Sequence, residues 1–212
     1  MKIIAETSKV GAKGWDTDLP LFADVVANPR QWLGSATEHL FAAQIMLPHI
    51  NNRLKLIEDI MIKQEYISLN PCLISSYLLH CALAMENSMK ALIAFIYADQ
   101  IKAEIESKSK TPKILLGHDL IDLAKRIDLP LGIDQEFTLK FLTRRGVWAG
   151  KYHQPIKHGD DSPTEQLSDG NYYMTGGYNP KAIPSYFEFC LNFFHEATSK
   201  IDSSNQQDFS TT

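Results

Sequence analysis

Apolar residues recur at three- and four-residue spacing through most of this chain, and nowhere do they alternate long enough to predict a pair of strands. Pro29 opens the first clear helix, because a proline in a first turn gives up an amide that has no intrahelical partner anyway. Trp32, Leu33, Ala36, Leu40, Ala43 and Leu47 supply its apolar face, and Pro48 is expected to kink or end it. A second helix, from Ile50 to Ile67, turns Leu54, Ile57 and Met61 inward. Asn70-Pro71 introduces a third, and its cover of Leu73, Tyr77, Leu78, Ala82, Met85, Met89, Leu92, Ile93 and Ile96 predicts the central helix of a bundle.

Beyond Lys102 the sequence turns polar, and Pro112 marks a loop. Gly117-His118-Asp119-Leu120 begins a short helix whose acids, Asp119 and Asp122, lie at its positive end, with Lys125 and Arg126 at its negative end. Asp134 is the expected N-cap of the next helix, which carries Phe137, Phe141 and Leu142. A last helix starts near Pro184. Its Tyr186, Phe187, Phe189, Phe193 and Phe194 predict burial against the bundle or a second subunit.

Two stretches escape this pattern. Residues 1–28 read as an irregular leader that packs Trp15, Leu19, Leu21 and Phe22 onto the bundle, and residues 146–183, rich in glycine, proline and tyrosine, as an ordered functional loop or a small irregular subdomain. Residues 203–212 are polar and are expected to form a disordered tail. The fold class is therefore all-α, a helical bundle over 29–202 with a long loop before its last helix.

Composition narrows the function. With 212 residues, 44% of them hydrophobic, the chain can close one sizeable core. A net charge of −4 excludes a general cationic coat for duplex nucleic acid but permits a local basic patch. Cys72, Cys81 and Cys190 sit apart in apolar surroundings, as reduced core thiols do. No secretory signal opens the chain, and Glu86 and Lys90 interrupt the one long apolar run, so a cytoplasmic protein without a membrane span is expected.

Three features carry candidate chemistry. His80, Glu86 and Lys90 are polar residues set into the central apolar helix. Glu86 and Lys90 stand at i and i+4, either as a surface pair or at a cleft edge, whereas His80 is six residues from Glu86 and lies on another side. His118 precedes a helix start, where it would cap the helix or meet an anion. Lys140, Arg144, Arg145, Lys151 and Lys157 alternate with Trp148, Tyr152, His153 and His158, with no acid among them, a pattern suited to gripping phosphate and stacking a base. There is no Walker loop, dinucleotide fingerprint or His-Glu-x-x-His, and neither metal nor cofactor is expected.

The run from Tyr77 through His80, Glu86 and Lys90 to Leu92, followed by Gly117-His118-Asp119-Leu120, resembles the second helix and the start of the third in HEPN domains. The resemblance covers roughly residues 72–158 and implies a helical bundle of a family whose members bind nucleotides or cleave RNA. The ribonuclease pattern of that family is an Arg, a polar residue, and a His after four to six residues. Here Arg145 is followed by Gly146, and seven residues separate it from His153. Trp148-Ala-Gly-Lys151-Tyr152-His153 instead looks like the Trp-x-Gly-Arg-Tyr-Pro segment of members lacking that pattern. The leading expectation is a nucleotide or RNA phosphate held by Arg144, Arg145 and Lys151, with Tyr152 or Trp148 stacking. A metal-independent endoribonuclease of a toxin or phage-defence system, using Arg145 and His153, is the alternative. A homodimeric interaction module is the third.

Overall fold

The computed structural model describes residues 19–63, 71–146, 164–174 and 182–208. Among these, seven α-helices form one bundle: α1 Leu19–Ala27, α2 Pro29–Lys63, α3 Pro71–Ile96, α4 Ala98–Lys108, α5 Leu120–Arg126, α6 Ile133–Arg144 and α7 Ile183–Asp208. The all-α class read from the apolar spacing is the architecture observed. Helix α3 lies at the centre, with α2 along one side, α7 along another and the α5–α6 pair against a third. Tyr77, Leu78, Met85, Met89 and Ile93 are fully enclosed there. Leu73–Ile96 is the one helix among the described residues long and apolar enough to cross a membrane, and its apolar cover is spent mostly inside the bundle. The aromatic face of α7 is used the same way, since Tyr186, Phe187 and Phe193 are buried within this one chain.

Several boundaries differ from the expected ones, each for a local reason. Helix α2 continues through Pro48 instead of ending there. Pro48 sits on the exposed face, where the carbonyl it deprives of a donor meets water, and Ile50 and Leu54 prolong the buried stripe of Ala36, Leu40 and Ala43. Part of the expected leader is helix α1, which buries Ala23 and Ala27 one turn apart and joins α4 through a Lys102–Asp24 ion pair of 2.7 Å. The expected disordered tail is helical as far as Asp208, since each added residue extends a helix already anchored by the buried Ile201. The N-cap of α6 is Gly132, whose amide donates to Gln135 Oε1 at 3.0 Å, while Asp134 sits inside the first turn.

A strand pair does occur. Residues Thr164–Gln166 (β1) pair antiparallel with Tyr172–Met174 (β2), below the length at which alternation can be read. Gly170, at φ +81°, makes the turn. Lys140 Nζ donates to the Gln166 carbonyl at 2.6 Å and the Ser168 amide to the Glu136 carboxylate at 3.0 Å, which moors this hairpin on α6.

Candidate functional site

Helices α2 and α3 run antiparallel, because His39 meets His80 while Trp32, seven residues earlier, meets Lys90, ten residues later. Along that seam lies a row of polar groups. Glu86 and Lys90 are both buried, at 7% and 6% exposure, rather than forming a surface pair. Lys90 Nζ donates to Glu86 Oε1 at 2.7 Å and stands over the Trp32 ring, 5.5 Å from its centre, where the π face also compensates the cation. Two charges taken out of water are tolerated only when both are paired this closely.

The exposed end of the row is His118. Its Nδ1 lies 3.0 and 2.9 Å from the two Glu86 oxygens, and its side chain is 53% exposed. An ionised carboxylate only accepts, so Nδ1 carries the hydrogen and Nε2 is the basic nitrogen of the neutral ring. Helix capping falls to the next residue: Asp119 Oδ1 accepts from the amides of Ile121 at 2.9 Å and Asp122 at 3.2 Å. Of the two roles open to His118, capping thus belongs to Asp119, and the His118 ring is oriented by Glu86.

His80 has a different partner. Its Nδ1 is 3.1 Å from His39 Nδ1, with the ring centres 5.3 Å apart. Burial holds both imidazoles below the ordinary histidine range, and for His39 the adjacent His80 adds to the effect while Glu86 and Glu38 oppose it.

The basic end of α6 approaches the same helix. The Leu120 amide donates to Thr143 Oγ1 at 2.9 Å, which ties the backbone just after His118 to the residue just before Arg144 and Arg145. At Gly146 an added Cβ would stand 2.9 Å from the Ala82 Cβ, one turn before Glu86. Arg145 lies over the Phe141 ring at 5.1 Å, and Phe141 stacks on Tyr186 with ring centres 4.8 Å apart. Burial raises the Tyr186 hydroxyl above its usual range, with the Arg145 charge in partial opposition. Lys140 is engaged by Gln166 and by Glu136.

The structure thus brings Glu86, Lys90 and His118 into one hydrogen-bonded row, sets His80 beside it, and seats the α6 end that bears Arg144 and Arg145 against the same central helix. Trp148, Lys151, Tyr152, His153, Lys157 and His158 lie outside the described residues. Two participants went unmarked in the sequence, Trp32 as a partner of Lys90 and His39 as a partner of His80. Their seven-residue spacing places them on one face of α2, which was the available signal. No group of three or more His, Cys, Asp or Glu is placed to hold a metal among the described residues. Comparison with protein-family profiles, with curated proteins and with solved structures finds no match to this chain.

Proposed function

We propose that this chain is a HEPN-like bundle that binds the phosphate of a nucleotide or an RNA where His118 meets the C-terminal end of α6. The observation that carries this reading is the row from Lys90 through buried Glu86 to exposed His118. Such a row spends two buried charges to fix the orientation of one solvent-facing imidazole, an arrangement suited to meeting a ligand. Arg144 and Arg145, on the same end of α6, add cations that match phosphate geometry. Equilibrium binding of a fluorescent adenine nucleotide and of a short single-stranded RNA at low salt tests it. His118 donates to a phosphate through Nε2 only as the imidazolium; removing that bond by His118→Gln, or the guanidinium by Arg144→Ala, is expected to weaken binding about tenfold or more. Absence of affinity for both probes in the wild type overturns the reading.

One observation favours an enzymatic reading as the second choice. A carboxylate-oriented imidazole is also built for proton transfer, as RNA cleavage without a metal requires. Loss of cellular RNA integrity on inducing the wild type, abolished by His118→Gln, is the expected result. Intact RNA under wild-type induction refutes it.

A further inference from the structure

We propose that the His39–His80 pair is an acid-sensitive latch joining α2 to α3, closed when at most one proton is added to the pair and opened when both rings are protonated. This proposal stands on the seam geometry alone and does not depend on phosphate binding.

The two Nδ1 atoms are 3.1 Å apart, a hydrogen-bond distance between two nitrogens that in imidazole can either carry or accept a proton. In the neutral pair one ring holds its hydrogen on Nδ1 and donates; the other holds it on Nε2 and accepts. A first added proton goes to Nε2 of the donor ring, and the bond becomes charge-assisted. A second has only the accepting Nδ1 left to bind. That breaks the bond and sets two imidazolium N–H groups against each other across the seam, so the rings must separate. The two steps belong to the pair and not to either ring.

Burial resists each protonation, and the charge left by the first step adds to the resistance against the second. Burial opposes the charged form of both rings; on His39 the adjacent His80 adds to it, while Glu86 on α3 and Glu38 on α2 oppose it in part. Glu86 is bonded to Lys90 and His118, so it is held in place and does not move to pair with a second proton on the histidines. The same seam holds Trp32 over Lys90, two turns along α2 from His39. Parting the helices at the histidines therefore strains the Trp32–Lys90 contact and, through it, the Glu86–His118 row.

Side-chain nitrogen NMR of the full chain and hydrogen exchange of its backbone amides, each between about pH 7.5 and about pH 4.5, test the latch. At the upper pH one of the two rings is expected in the Nδ1–H tautomer and the other in the Nε2–H tautomer, with two separate titration steps. After correction for intrinsic chemistry, exchange along residues 33–47 of α2 is expected to rise roughly tenfold or more through the second step, with α7 unchanged. His80→Gln, which cannot be protonated, is expected to remove that rise. A single ordinary titration for both rings, α2 protection indifferent to pH, or an undiminished rise in His80→Gln each overturn the proposal. Should His80→Gln fail to fold, His39→Gln and the wild-type titration decide it by the same criteria.

Discussion

Replacing Glu86 and Lys90 singly and together tests whether their burial is a cost or a gain. At 2.7 Å the pair attracts by about 6 kcal/mol if the effective dielectric is about 20, and desolvation of the two ions, at several kcal/mol each, cancels much or all of that. Glu86→Leu alone leaves the Lys90 ammonium in a buried site with only the Trp32 ring for company, and is expected to cost about 3–5 kcal/mol. Lys90→Met is expected to cost less, about 1–3 kcal/mol, because Glu86 keeps its bond to His118. The double variant Glu86→Leu/Lys90→Met removes both charges into apolar surroundings and is expected to fall near the wild type or above it. Urea unfolding followed by circular dichroism, with m unchanged across the set, measures all four corners of the cycle. If the double variant equals the sum of the singles to within about 0.5 kcal/mol, the two residues are energetically independent and the account of the row is wrong.

Gly146→Ala is expected to destabilise by about 1–3 kcal/mol, since the new methyl meets the Ala82 Cβ, which has no rotamer to yield; thermal melts should show partial recovery in Gly146→Ala/Ala82→Gly, and a neutral single variant would contradict the close approach. Because burial holds His39 and His80 below the ordinary histidine value of about 6.5, the unfolded chain binds more protons than the folded one just below that value. Their contribution to stability is thus complete above about pH 6.5 and declines as pH falls towards the depressed folded values. Urea midpoints should drop between about pH 8 and about pH 5, less steeply in His39→Gln/His80→Gln, and an equal slope in that variant counts against the assignment. Pro48→Ala restores an amide in mid-helix and is expected to stabilise by about 1–2 kcal/mol net of the entropy returned to the unfolded chain, read as a raised urea midpoint.

The bundle was legible because its helices present apolar stripes with the right period, from Leu33–Ala36–Leu40 on α2 to Tyr186–Phe187–Cys190–Phe193 on α7. The helix does not end at Pro48, because local propensity says nothing of which face a proline occupies, and an outward-facing one can be outvoted by packing on both sides. The hairpin escaped because its three-residue strands are held by Glu136 and Lys140 of α6, partners remote in sequence. At the site, the one-dimensional reading found Glu86 and Lys90 as an i, i+4 pair and His118 as a separate oddity. The joining of His118 to that pair depends on a loop that returns it to α3 thirty-two residues after Glu86, and that distance is invisible to helical periodicity. His39 went unnoticed because a lone histidine on a helix carries no pattern until its neighbour across the seam is known.

Two bonds between α3 and α7 run in opposite directions. The Tyr77 hydroxyl donates to the Ile183 carbonyl at 3.1 Å, and Cys190 Sγ donates to the Cys81 carbonyl at 3.3 Å. Each helix thus lends a side chain to the other's main chain, four residues apart on α3 and seven on α7. A slide of either helix by a single turn would break both bonds at once and strand polar atoms in an apolar interior. The C-terminal helix consequently behaves as a fixed wall, and breathing of this bundle is left to α2, which carries His39, or to the α5–α6 pair, which carries Arg144.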